Sequence, residues 1–167
     1  MGYFKDFFCN TGRLGVPMLE RADDAALRPV GERMTFTDGG ASVVAVYLKA
    51  ETSGIAAGTA CTIEGGSAKP VANEAQQGKA VGIAAVALAA NEYGWFIVSG
   101  VVPVLFNATV TIGGKAYIAA AGLLSGSATA GKQVGNCTAV EAAGAVTNSK
   151  LVKCSVENPY LQTGAVA

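Results

Sequence analysis

The stretch that decides the fold runs from Gly78 to Ser125: GKAVGIAAVALAANEYGWFIVSGVVPVLFNATVTIGGKAYIAAAGLLS. It is almost wholly apolar or small, and it carries only three charged side chains, Lys79, Glu92 and Lys115. Glycine-bearing turns cut it into short runs rich in β-branched and aromatic residues, the pattern of strands. Tyr93–Val98 and Gly100–Phe106 predict two strands that are apolar at both sets of alternating positions. Trp95, Ile97, Val101 and Leu105 form one set; Phe96, Val98, Val102, Val104 and Phe106 form the other. A strand apolar on both faces is covered on both faces. One face then fills an interior, and the other meets an arm, a helix or another subunit. Pro103 has no N–H for a ladder, so it predicts an edge or a bulge in this run.

Working outward, Ala108–Ile112 and Lys115–Ala119 flank Gly113-Gly114 and predict a hairpin. Upstream, Ser42–Ala50 (SVVAVYLKA) predicts a strand, with a short one near Thr59–Ile63. Lys69–Lys79 is polar and reads as a turn or loop. Lys79–Leu88 is alanine-rich, but Gly78 and Gly82 favour strand over helix. Downstream, Gly131–Val140 and Lys150–Val156 supply two more strands. Short strands spaced by Gly, Asn and Ser turns predict an all-β domain over residues 41–167, a small β-barrel or sandwich. No tandem repeat is visible.

Residues 1–40 differ and read as an extended N-terminal arm. They hold eleven of the charged residues, and Pro17 and Pro29 interrupt any long element. A short helix is expected at Glu20–Leu27. Tyr3, Phe4, Phe7 and Phe8 fall at spacings that share one face of a helical turn. A single turn is marginal in water, so this aromatic cluster needs a surface to dock on. The four are candidate partner-docking residues, with the chain's own core as the alternative surface.

Charged residues make up 14% of the chain, against roughly 25% in an average soluble domain. A chain with so few hides surface against neighbours, which predicts oligomerisation or assembly; a compact monomer with a Ser/Thr/Asn/Gly surface is the alternative. Acidic and basic residues balance at twelve each, so no global field draws nucleic acid or an anionic membrane. There is no histidine, which removes the commonest general base and metal ligand. Cysteines at 9, 61, 137 and 154 have no CxxC spacing. The start, MGYFKDFFCNTG, lacks the architecture of a secretion signal, and Asp6 argues against myristoylation. Reduced thiols are therefore expected, with Cys154 beside Val152 and Val156 on one strand face. The run Val81–Ala90 falls short of the ~20 residues of a membrane span.

Few constellations suggest chemistry. Gly113-Gly114-Lys115 is the arrangement of a lysine-modified carrier tip, but Lys115 lacks the neighbours such tips have, and a plain hairpin is expected. Glu20, Asp23 and Asp24 read as a solvated acidic face rather than a metal site. Phosphate-cradling GxGxxG and P-loop patterns are absent. No catalytic, cofactor-binding or metal residue is assigned, and the chain is not expected to be an enzyme.

Gly100-Val101-Val102, Gly114-Lys115-Ala116-Tyr117 and Lys132-Gln133-Val134-Gly135, followed by closing strands over Ala139–Val156, together carry a resemblance. From Gly78 to Val156 the chain resembles the capsid cement, or decoration, proteins of tailed bacteriophages. The resemblance implies a small β-barrel-like domain, a homotrimer, without cofactor. It would be made in the bacterial host cytoplasm and sit on the outer capsid surface of the virion. There it clamps the major capsid protein shell as a structural protein. No residue-level binding site carries over. Another virion component, such as a head-fibre base or tail protein, and a carrier domain modified at Lys115 are the alternatives.

Overall fold

β-Branched and aromatic residues favour the extended backbone of ten strands among the described residues. The computed structural model describes residues 19–162 except 20, 39, 52–53, 75–77 and 145–147. The strands are β1 (Arg33–Asp38), β2 (Ala41–Ala50), β3 (Ala60–Glu64), β4 (Ser67–Pro70), β5 (Ala80–Ala84), β6 (Tyr93–Phe106), β7 (Lys115–Ala120), β8 (Leu123–Ser125), β9 (Gln133–Ala139) and β10 (Lys150–Gln162). They form one mixed sheet that nearly closes into a ring, so the all-β expectation holds.

Several local expectations are corrected. β1 lies inside the segment read as an arm and pairs antiparallel with the start of β2, so the boundary at residue 40 falls within a hairpin. No helix forms at Arg21–Leu27, because the Asp23 N–H and C=O both bond to Tyr93 at 2.8 Å. Those groups are then lost to any helical ladder. The loop expected from Lys69 begins later, since Ser67–Pro70 is β4. The hairpin at Gly113-Gly114 does not form either. The turn is real, with Gly114 N–H donating to Thr111 C=O at 2.9 Å, but its flanks pair elsewhere. Val110 bridges Ala143, and β7 pairs with β8 and β9.

The two strands expected around Gly100 are one, β6, of 14 residues. Val44 faces Ser99 while Ala45 faces Ile97, so Val98 is an extra residue, a bulge. The alternation changes side there. Trp95 and Ile97 belong to the larger hydrophobic cluster, and Phe96 and Val98 to the smaller. Past the bulge it is Val102, Val104 and Phe106 that enter the larger cluster, while Val101 turns outward. Both faces of Trp95–Val98 are thus buried by this chain itself. Pro103 sits opposite Lys153 of β10. Leu105, two residues on, sends its N–H the other way, to Gly58 C=O at 2.9 Å. The proline nitrogen therefore faces away from β10 and interrupts no bond to it.

A duplication organises the sheet. β2 pairs with β4, β4 with β3, β3 with β5, β5 with β6, and β6 with β2. The same circuit recurs: β6 with β8, β8 with β7, β7 with β9, β9 with β10, and β10 with β6. In each circuit only the first pairing is parallel. The isolated bridge Ile55–Leu88 recurs 55 residues later as Val110–Ala143. Gly58 N–H to Ala84 C=O at 2.8 Å recurs as Gly113 N–H to Ala139 C=O at 2.8 Å. Register recurs too. Ala45–Ile97, Tyr47–Trp95 and Lys49–Tyr93 correspond to Val101–Ser155, Pro103–Lys153 and Leu105–Leu151.

Interior side chains differ between the repeats in compensating ways. Gly82 and Phe96 of the first correspond to Cys137 and Cys154 of the second; Ala50 and Leu88 correspond to Phe106 and Ala143. A Cβ on Gly82 would lie 2.9 Å from Ile63 Cδ1 and 3.1 Å from Phe96 Cβ, so the phenylalanine fills space that the second repeat shares between two thiols. Cores tolerate such exchanges when total volume is kept.

Candidate interaction surface

The segment from Leu19 to Asp38 straps the first repeat. Its anchor is Asp23, buried, whose Oδ2 accepts the Tyr47 hydroxyl at 2.8 Å. The same Tyr47 oxygen accepts the Leu27 N–H at 3.4 Å. Arg21 Nε stands 2.5 Å from Asp23 Oδ1, an ion-pair contact whose N–H is not directed at that oxygen. Asp23 therefore turns inward, away from exposed Asp24, and the acidic face expected from the sequence is split. Around this anchor Phe36 meets Trp95 edge-on at 5.0 Å, and Tyr47 stacks on Tyr93 at 6.1 Å. Leu19 is buried in the same cluster. Val30 closes the strap over Gly66, where a Cβ would come within 2.8 Å of its Cγ1.

Burial and then the hydrogen bond to Asp23 push the Tyr47 hydroxyl from its ordinary 10.0 up to about 12. The folded state thus holds this proton more tightly than the unfolded chain. The stability it contributes is complete below pH 10.0 and is lost as pH rises toward about 12. Tyr47→Phe is expected to flatten the alkaline fall in melting temperature over that window, and to cost about 1–3 kcal/mol at neutral pH by leaving Asp23 Oδ2 unpaired. Thermal melts of both proteins across the alkaline range check this.

The corresponding face of the second repeat is not sealed. Ala45 corresponds to Val101 by register, and Ala85 corresponds to Val140, since Ala85 N–H donates to Trp95 C=O as Val140 N–H donates to Lys153 C=O. Ala45 and Ala85 are buried, whereas Val101 is 52% exposed and Val140 42%. Thr138 and Ser155 on the same face are exposed as well. Ile112, in the turn bonded to Ala139, is 71% exposed. Only the end near Leu105 and Leu151 is closed, by the turn at Gly58.

Other candidates resolve plainly. Lys115 is exposed at the start of β7, opposite Thr138, and not at a hairpin tip. Cys61, Cys137 and Cys154 are free and buried, and Cys154 shares its cluster with Val152 and Val156. The contact with Cys137, followed by burial, pushes the Cys154 thiol upward; burial does the same to Cys61. A recess of about 210 Å3 opens between β1, β5 and β10, lined by Val46, Val98 and Tyr160 with Arg33 at its rim. Among the described residues no group of three or more His, Cys, Asp or Glu stands together as a metal site. No described helix is long and apolar enough to cross a membrane. Tyr3, Phe4, Phe7 and Phe8 lie outside the described residues. No protein-family model matches the chain, and no curated protein matches it.

Proposed function

We propose that this chain is a structural virion protein that binds the outer surface of a major capsid protein shell and stabilises it, working as a homotrimer. The carrying observation is the unequal treatment of two equivalent faces: one buried with the help of a strap, the other left with Val101 and Val140 open. A charge-poor protein that leaves apolar side chains open on one face of its sheet offers them to protein neighbours. Of the stretch Gly78–Val156 that resembles cement proteins, the three quoted motifs fall in this open repeat or at its boundary, while the part before Gly100 lies in the first repeat. Gly100–Val102 lies where β6 leaves the first repeat, Gly114–Tyr117 opens β7, and Lys132–Gly135 opens β9.

The test is direct. The isolated protein is expected to be a trimer by light scattering, to bind expanded capsids of the particle whose genome encodes it, and to raise their melting temperature. A stable monomer without capsid affinity would sink the reading. Within the same experiment, deletion of residues 1–8 is expected to weaken assembly more than folding, because it removes Tyr3, Phe4, Phe7 and Phe8. Unchanged assembly by the truncated protein would show the cluster to be dispensable.

A further inference from the structure

We propose that the recess between β1, β5 and β10 binds a small free carboxylic acid, its apolar tail in the recess and its carboxylate on Arg33. Three strands part company at this point. β5 pairs with β6 only at Ile83–Ile97 and Ala84–Phe96, and with β10 only at Ala80–Tyr160. β10 follows β6 no further than Glu157–Ser99. Irregular backbone flanks the gap: the Val98 bulge in β6, and the register shift between Val156 and Tyr160 in β10, where Asn158 has φ 46°. The space left between them is the recess, of about 210 Å3.

Its lining is apolar inside and cationic at the rim. Val46 and Val98 belong to the smaller hydrophobic cluster and Ile63 packs against it, so the recess opens on the interior of the first circuit of strands. Mouths of β-barrels are common sites for small ligands. Tyr160 forms one wall, its ring held over Gly135, where a Cβ would come within 2.7 Å of Cε1. Arg33 at the rim is exposed and meets no carboxylate at ion-pair distance among the described residues. Its Nη1 and Nη2 both turn to Asn158 Oδ1 at 3.5 Å, a neutral acceptor at the outer limit of a hydrogen bond. A guanidinium fork sharing one distant amide oxygen gains by taking two carboxylate oxygens instead.

Size and polarity narrow the ligand. At ~30 Å3 per water the recess has the volume of roughly seven waters, room for a tail of a few carbons and not for a long acyl chain. A peptide ending in a free carboxylate presents the same head group, but it brings backbone amides that an apolar lining leaves unpaired. A free acid brings none. The inference stands apart from both capsid binding and assembly.

Saturation-transfer NMR on the folded full chain, titrated with sodium hexanoate, tests it. Saturable binding is expected, with a Kd on the order of 1 mM or tighter. Hexanamide, of the same shape without the charge, is expected to bind ~10-fold more weakly or worse, and Arg33→Gln is expected to weaken hexanoate to the same degree. Ala80→Leu, at an exposed position in the lining, is expected to fill the recess and abolish binding with the melting temperature unchanged. Binding that does not saturate, equal binding of hexanamide, undiminished binding by either folded variant, or tighter binding of the peptide acid N-acetyl-alanyl-leucine than of hexanoate would each overturn the inference.

Discussion

Replacing Gly100 with alanine is expected to remove about 3 kcal/mol or more of stability, from two separable sources. Gly100 has φ 123°, a conformation L side chains rarely adopt, and holding one there costs of order 1–3 kcal/mol. The added Cβ would also stand 2.7 Å from Val43 Cγ1, 2.8 Å from the Ser42 carbonyl oxygen and 3.1 Å from Val43 Cα. Two of those three neighbours are backbone atoms of β2, which cannot swing aside. Relieving the overlap moves β2 against β6 just beyond the Val98 bulge, where β6 passes from one repeat into the other. Gly113→Ala is the control. Gly113 has φ 76° but nothing within 4 Å of its Cβ position, so it carries the conformational cost alone. Urea unfolding of both variants separates the two sources. Equal losses would mean that β2 and β6 do not approach closely at Gly100.

The sheet was legible because its strands depend on local chemistry. SVVAVYLKA and the run from Tyr93 to Phe106 have few conformations open to them other than extended, buried ones. What stayed hidden depends on pairing. β1, RMTFTD, buries Phe36 while four of its residues are charged or threonine, and it becomes a strand by pairing with β2. The turn at Gly113-Gly114 follows from local chemistry, but the choice of partner for its flanks is tertiary. The duplication left one clear trace, G-K-x-V-G at Gly78–Gly82 and Gly131–Gly135. Even that trace is two residues out of the 55-residue step. Elsewhere equivalent positions hold unlike residues, Phe96 and Cys154 in the interior or Trp95 and Lys153 on the outer face. The candidate surface followed from register equivalence, which no single strand displays.

Trp95 marks the sealed face, and its loss is expected to show how much the seal contributes. The indole is 2% exposed, meets Phe36 edge-on at 5.0 Å and lies 5.2 Å from the Tyr47 ring. Trp95→Ala removes the common partner of β1 and β2 and leaves a cavity that two aromatic rings cannot fill. The expected cost is roughly 3–5 kcal/mol, on the order of 10 °C in melting temperature for a domain of this size. Val101→Ser, on the equivalent face of the second repeat, should stay within ~0.5 kcal/mol for the isolated chain, because more than half of Val101 already meets solvent. Its effect should appear in self-association, read by light scattering at rising concentration. The two variants therefore divide folding from assembly. Trp95→Ala is expected to melt early at any concentration, and Val101→Ser to melt normally but associate weakly. A mild Trp95→Ala would mean that the strap adds little to the first repeat.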